Sequence, residues 1–132
     1  MKTNVKPGDV TEYRFTVLPD DVARFKGEVV HSVCATFTLA REIEWTTRQF
    51  VLHMREEDEE GVGTFLSIHH RGPAFVGEEV TITAQVESLT GNELICTYQA
   101  HAGGRLVAEG KTGQKIMKRE KIRQLFGHPS AS

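Results

Sequence analysis

The chain has 132 residues, 39% of them hydrophobic and 26% charged, which suits one compact domain with a real core. A formal net charge of −2 argues against a nucleic-acid binder, and no apolar run reaches the ~18 residues of a membrane-spanning helix. The opening MKTNVKPGDV carries no apolar stretch of the kind a secretion signal needs, so the cytoplasm is the expected location and neither nucleic acid nor membrane an expected partner.

In chain order, DVTEYRFTVL alternates Val10, Glu12, Arg14, Thr16 against Thr11, Tyr13, Phe15, Val17, which predicts a strand with one apolar face. PDDVARFKGE predicts a turn holding at most one helical turn. TLAREIEWTTRQFVLHM is the one long helix. At 100° per residue, Leu39, Ile43, Phe50 and Met54 fall within about one sixth of the circle. Ala40, Thr47 and Val51 widen that stripe, while Trp45 and Leu52 form a smaller patch nearly opposite. Such a helix is expected to touch its own sheet and a partner subunit.

The acidic run in REEDEEG opposes the negative end of the helix dipole, so most of it is expected in a solvated loop. Four strands should follow: VGTFLSIHH, EEVTITAQVESL, ELICTYQAHA and RLVAEGKTGQKIM. Val80, Ile82, Ala84 and Val86 share one face of the second, and TGN and GG read as hairpin turns joining the last three. REKIRQLF has helical spacing, and GHPSAS reads as a disordered end. Strand, long helix and meander make an α+β domain over residues 1–118, with 119–132 a tail carrying a short helix. One helix leaves part of the sheet and its edge uncovered, so self-association is expected.

Cys34 and Cys96 lie far apart and form no CxxC pair, so both are read as buried free thiols. No HExxH marks a metal site, His31, His53, His101 and His128 show no ligand spacing with carboxylates, and there is no GxSxG or phosphate-binding loop.

Three residues stand out for chemistry. In FLSIHHRGP, His70 shares a strand face with Leu66 and Ile68, which predicts a low-dielectric setting where proton transfer can be tuned. The same pattern fits a satisfied histidine at a strand end. Glu44 borders the main helical stripe, where a half-buried carboxylate can serve as a general base. Against that, Arg48 lies four residues on, and an ordinary surface pair worth about 0.3–0.5 kcal/mol is the simpler reading. Thr36 could cap the helix, or hold a water or a substrate carbonyl. One regular helix containing both Thr36 and Glu44 would hold them about 12 Å apart along its axis. A bend, a substrate or a second subunit would then have to fill the gap.

Two stretches, ATFTLAREIEW (35–45) and GTFLSIHHRGPAFVGEEVTITAQVES (63–88), resemble the fluoroacetyl-CoA thioesterase-like family of hot-dog-fold thioesterases. The resemblance covers roughly residues 8 to 118. It implies one long central helix wrapped by a five- or six-stranded antiparallel sheet. It also implies a homodimer or dimer of dimers, with the site at the dimer interface.

By this resemblance the activity is hydrolysis of a small acyl-CoA, with no cofactor beyond the coenzyme A of the substrate. The catalytic set falls on Thr36, Glu44 and His70, with the Gly63 N–H facing the thioester carbonyl. A basic residue of the family pattern is replaced by Gln114, leaving Lys111, Lys115 and Lys118 as substitutes for binding coenzyme A. The short segment FKGEVVHSVC, where the family's namesake carries a phenylalanine-bearing lid, speaks against selectivity for a fluorinated acetyl group. A non-catalytic acyl-CoA or small-molecule binder of the same fold is the alternative.

Overall fold

The structure is a computed structural model that describes residues 1–25 and 28–127. Strand β1 (Val10–Thr16) leads through a single 3-10 turn at Pro19–Asp21 into a hairpin of β2 (Val22–Phe25) and β3 (Glu28–Cys34). Helix α1 (Thr36–Met54) follows, then β4 (Glu59–His70), β5 (Glu79–Thr90), β6 (Glu93–Ala102), β7 (Arg105–Lys118) and the short helix α2 (Arg119–Phe126). The main sheet has five antiparallel strands in the order β1-β5-β6-β7-β4; β2 and β3 form a separate pair. The α+β reading with one long helix against a five-stranded sheet is what the chain builds.

The expected stripe is the buried one. Leu39, Ile43, Val51 and Met54 are fully enclosed and Phe50 nearly so. They pack on Val80, Ile82, Ala84 and Val86 of β5 and on Leu94, Cys96 and Ala100 of β6. Each such aliphatic side chain contributes about 1.5–3 kcal/mol by leaving water. The meander closes through Gly103 and Gly104, whose φ of +55° and +79° supply the two positive values of a type I′ hairpin turn. At the other end of the helix, a Cβ on Gly61 would lie 2.9 Å from Val51 Cγ1, so only glycine lets α1 and β4 approach this closely.

Two expectations are corrected. The region read as a turn, 19–28, runs into the β2–β3 hairpin; its pairing shifts register at Val22/Ala23 and again at Ala23/Arg24, so no clean alternation marks it. The helix begins at Thr36 with Ala35 as its N-cap, two residues earlier than the periodicity indicated. Most of the acidic run lies in the loop after α1, as expected: Glu56, Glu57 and Asp58 precede β4, which Glu59 and Glu60 open. Arg48 (3.0 Å), Arg55 and Arg119 (3.7 Å), drawn from α1, its C-terminal end and α2, converge on Glu60. That charge compensation is long-range, and none of the acids enters the last turn of α1. The end residues 128–132 of the tail expected to be disordered lie outside the described residues.

Both cysteines are buried free thiols. Burial pushes Cys34 up to about 12, with Asp21 adding to the rise, and burial pushes Cys96 up to about 12 as well. Neither thiol should react with a disulfide reagent near neutral pH in the folded protein, and both should react once it is unfolded; fast labelling of the native chain would contradict the burial.

Partial burial pulls the Glu60 carboxyl upward, but the hydrogen bonds from Arg48 and the Gly61 N–H and the charges of Arg48 and Arg55 outweigh it and leave its pKa below the ordinary value. A depressed carboxyl pKa contributes stability that is present above the unfolded value and lost as pH falls through the folded one. Urea unfolding across pH should therefore show the wild type losing stability faster than Glu60→Gln below about pH 4.3. Parallel curves would show that the three arginines do not act through this carboxylate.

Candidate active site

Strand β4 is an edge of the main sheet, and α1 lies against it running the opposite way: Thr36 is close to His70 at one end and Val51 to Gly61 at the other. This places the three chemistry-bearing residues along one line, the flank where the helix meets the free edge.

Thr36 does not cap the helix. It is the first helical residue, and its Oγ1 lies 3.1 Å from His70 Nδ1. The contact fixes the ring's orientation whichever partner donates. When Nδ1–H donates to the hydroxyl, Nε2 is left as a free base; when the hydroxyl donates, Nε2 carries the proton. The low-dielectric setting expected for His70 is absent from the single chain. Leu66 and Ile68 on the same strand pack against the core, but His70 lies beyond them, level with the first turn of α1, and is exposed.

Glu44 is exposed too, rather than half-buried, because it sits on the flank of α1 that looks out over β4. The ordinary ion pair with Arg48 does not form: Arg48 turns to Glu60 instead. Glu44 lines a cleft of about 530 Å³ between α1 and β4. Trp45 and Arg48 continue the helix wall; Gly61, Gly63 and Phe65 form the strand wall; Thr47, Thr112 and Gln114 form the floor. Neither Thr36 nor His70 lines this cleft.

The strand wall is irregular at a useful place. Gly63 pairs with Gln114 and Phe65 with Gly113, so Thr64 is an extra residue and β4 bulges there. A Cβ at Gly63 would meet nothing within 4 Å, so the backbone at this point faces open space. A carbonyl oxygen of a bound molecule can approach it.

The structure separates the other expected ligand-binding residues. Gln114 is in the cleft, its Nε2 donating to Thr47 Oγ1 at 3.3 Å. Lys111, three residues earlier on β7, is on the opposite sheet face and pairs with Glu87 at 2.7 Å. Lys118 pairs with Asp58 at 2.8 Å at the end of β7. Sequence reasoning passed over Thr112 and Thr47. The signal for Thr112 is its parity with Gln114 on one strand; for Thr47 it is the single turn that separates it from Glu44.

The family model for fluoroacetyl-CoA-specific thioesterase matches residues 17–120. No curated protein matches the chain. A Thermus thermophilus hypothetical protein, a thioesterase superfamily member, superposes with a TM-score of 0.90 at 29% identity, over 95% of this chain and 93% of that one. A variant of the fluoroacetyl-CoA-specific thioesterase in complex with fluoroacetate and CoA gives 0.82 at 24% identity, over 89% and 99%. A hot-dog-like protein from Thermanaerovibrio acidaminovorans gives 0.82 at 19%, over 92% and 93%. The fold is the hot-dog fold.

Thr36→Val, nearly isosteric, should change the His70 ring-nitrogen resonances, while Thr36→Ser preserves them. Ring-nitrogen resonances unchanged in Thr36→Val would contradict the Thr36–His70 contact.

Proposed function

The chain belongs to the fluoroacetyl-CoA-specific thioesterase family, which makes it a thioester hydrolase, and from that premise we propose that it hydrolyses a small acyl-CoA in a site built by two copies of the chain. One observation carries the two-copy reading. A single regular helix holds Thr36 and Glu44 eight residues apart, about 12 Å along its axis. The Thr36–His70 pair and the Glu44 cleft are therefore two half-sites.

The open edge of β4 supplies the means to join them. Two β4 strands pairing antiparallel about a twofold axis near Leu66 bring His70 of the partner subunit level with Val62, beside the cleft that Glu44 lines. Pairing also removes the exposed edge and covers Trp45 and Phe65, each 45% exposed in the single chain.

In this site the thioester carbonyl faces the Gly63 backbone, whose N–H donates to the oxygen as negative charge develops there. Glu44 takes a proton from a water as that water's oxygen bonds to the carbonyl carbon. When the C–S bond breaks, the electron pair leaves with sulfur. The partner's His70, oriented by the partner's Thr36, delivers a proton to the departing thiolate. The products are the free acid and the free thiol. Lys111 faces away from the cleft and is paired with Glu87.

A positioned proton-transfer group is worth about 10²–10⁴ in rate. Release of free thiol from acetyl- or propionyl-CoA should fall by that factor in Glu44→Gln and in His70→Ala. A Glu44→Gln enzyme with full turnover would end this assignment.

A further inference from the structure

Resting on the thioesterase reading, we propose that the cleft takes a short acyl group carrying a neutral hydrogen-bonding substituent, a hydroxyl or keto group, which Gln114 receives. The floor of the cleft is polar where a hydrocarbon pocket would be expected. Thr47 and Thr112 are both buried, and Gln114 lies between them and the strand wall.

The hydrogen bonds at the floor are incompletely used. Thr47 Oγ1 donates to the backbone oxygens of Ile43 (3.4 Å) or Glu44 (3.3 Å) and accepts one N–H of Gln114. That anchors the amide from one side. Among the described residues, Gln114 Oε1 and its second N–H have no partner, and the buried Thr112 hydroxyl has none beyond the thiol of Cys96 beside it. The strand opposite keeps the amide open. Gly63 is the registered partner of Gln114, and a Cβ on Gly61 would lie 3.6 Å from Gln114 Oε1. Two glycines thus leave the oriented amide uncovered on its cleft side.

The substituent is neutral because, among the described residues lining the cleft, no arginine is free to meet an acid. Of the two rim arginines, Arg48 is held by Glu60 and Arg41 by Glu42, each at 3.0 Å, and Glu44 would repel a second carboxylate. A plain alkyl chain would dry the amide without replacing its partners. A site built to bond a polar group rejects the analogue that lacks it, here by roughly 10- to 100-fold.

The test compares kcat/KM for 3-hydroxybutyryl-CoA, butyryl-CoA and malonyl-CoA in the wild type, Gln114→Met and Thr47→Val, with circular dichroism confirming that each variant is folded. The wild type should prefer the hydroxyacyl substrate by that factor, with malonyl-CoA poorest. Gln114→Met should lose the preference mainly by gaining on butyryl-CoA, and Thr47→Val should narrow it. Equal or better turnover of butyryl-CoA by the wild type, or a preference that survives both substitutions, overturns the inference while leaving thioester hydrolysis intact. Hydrolysis of acetyl-CoA but of none of the three also overturns the inference, and hydrolysis of none of the three nor of acetyl-CoA overturns the thioesterase reading itself.

Discussion

The nineteen-residue α1 is the constraint on which the rest depends. Its rise fixes Thr36 and Glu44 at a separation that no side-chain rotation can close. Nor can the helix bend to bring them together. Leu39, Ile43, Val51 and Met54 along its length are fully enclosed against the sheet, and a kink would expose or misplace several of them at once. A large-to-small change at one such position alone costs about 2–5 kcal/mol. The single chain therefore presents its acid–base groups as two stations on one flank, each exposed, each beside the same unpaired edge.

That edge explains features that look wasteful in isolation. β4 bulges at Thr64, carries Gly61 and Gly63 in the wall of the cleft, and leaves Phe65 in water beside the equally exposed Trp45 of α1. Glycines weaken a strand and exposed aromatics invite association. Both become intelligible when the edge is an interface with a substrate lying along it: the glycines give backbone access and the aromatics become covered surface. The paired Glu60 cluster at the start of β4 holds the edge strand to α1 and α2 without blocking the cleft.

Much of this was legible in the chain. The period-two pattern of Val80 to Val86 and the stripe from Leu39 to Met54 announced sheet and helix, because each element buries a single face and writes that face into its spacing. The residue types at 36, 44 and 70 were legible as well. Their environments were not. His70 and Glu44 looked half-buried by periodicity, yet periodicity reports only which way a side chain points, and what lies there depends on where strand and helix end relative to one another. Arg48 looked committed to Glu44 by local spacing, and strand β4 supplied a better-placed carboxylate in Glu60. The β2–β3 hairpin was hidden by its register shifts. The division between Lys111 and Gln114 needed only strand parity, since an odd offset puts two residues on opposite faces.

The claim that Glu44 works with the histidine of another copy can be tested by subunit exchange. Glu44→Gln and His70→Ala enzymes, each nearly inactive, are unfolded together, refolded and assayed for thiol release. If the site is shared, random reassortment makes half of the dimers mixed, and each mixed dimer holds one site with both groups intact. Activity should then return to about one quarter of the wild-type value. If both groups served one chain, no mixture would contain an intact site, and activity that stayed at the level of the parents would contradict the account.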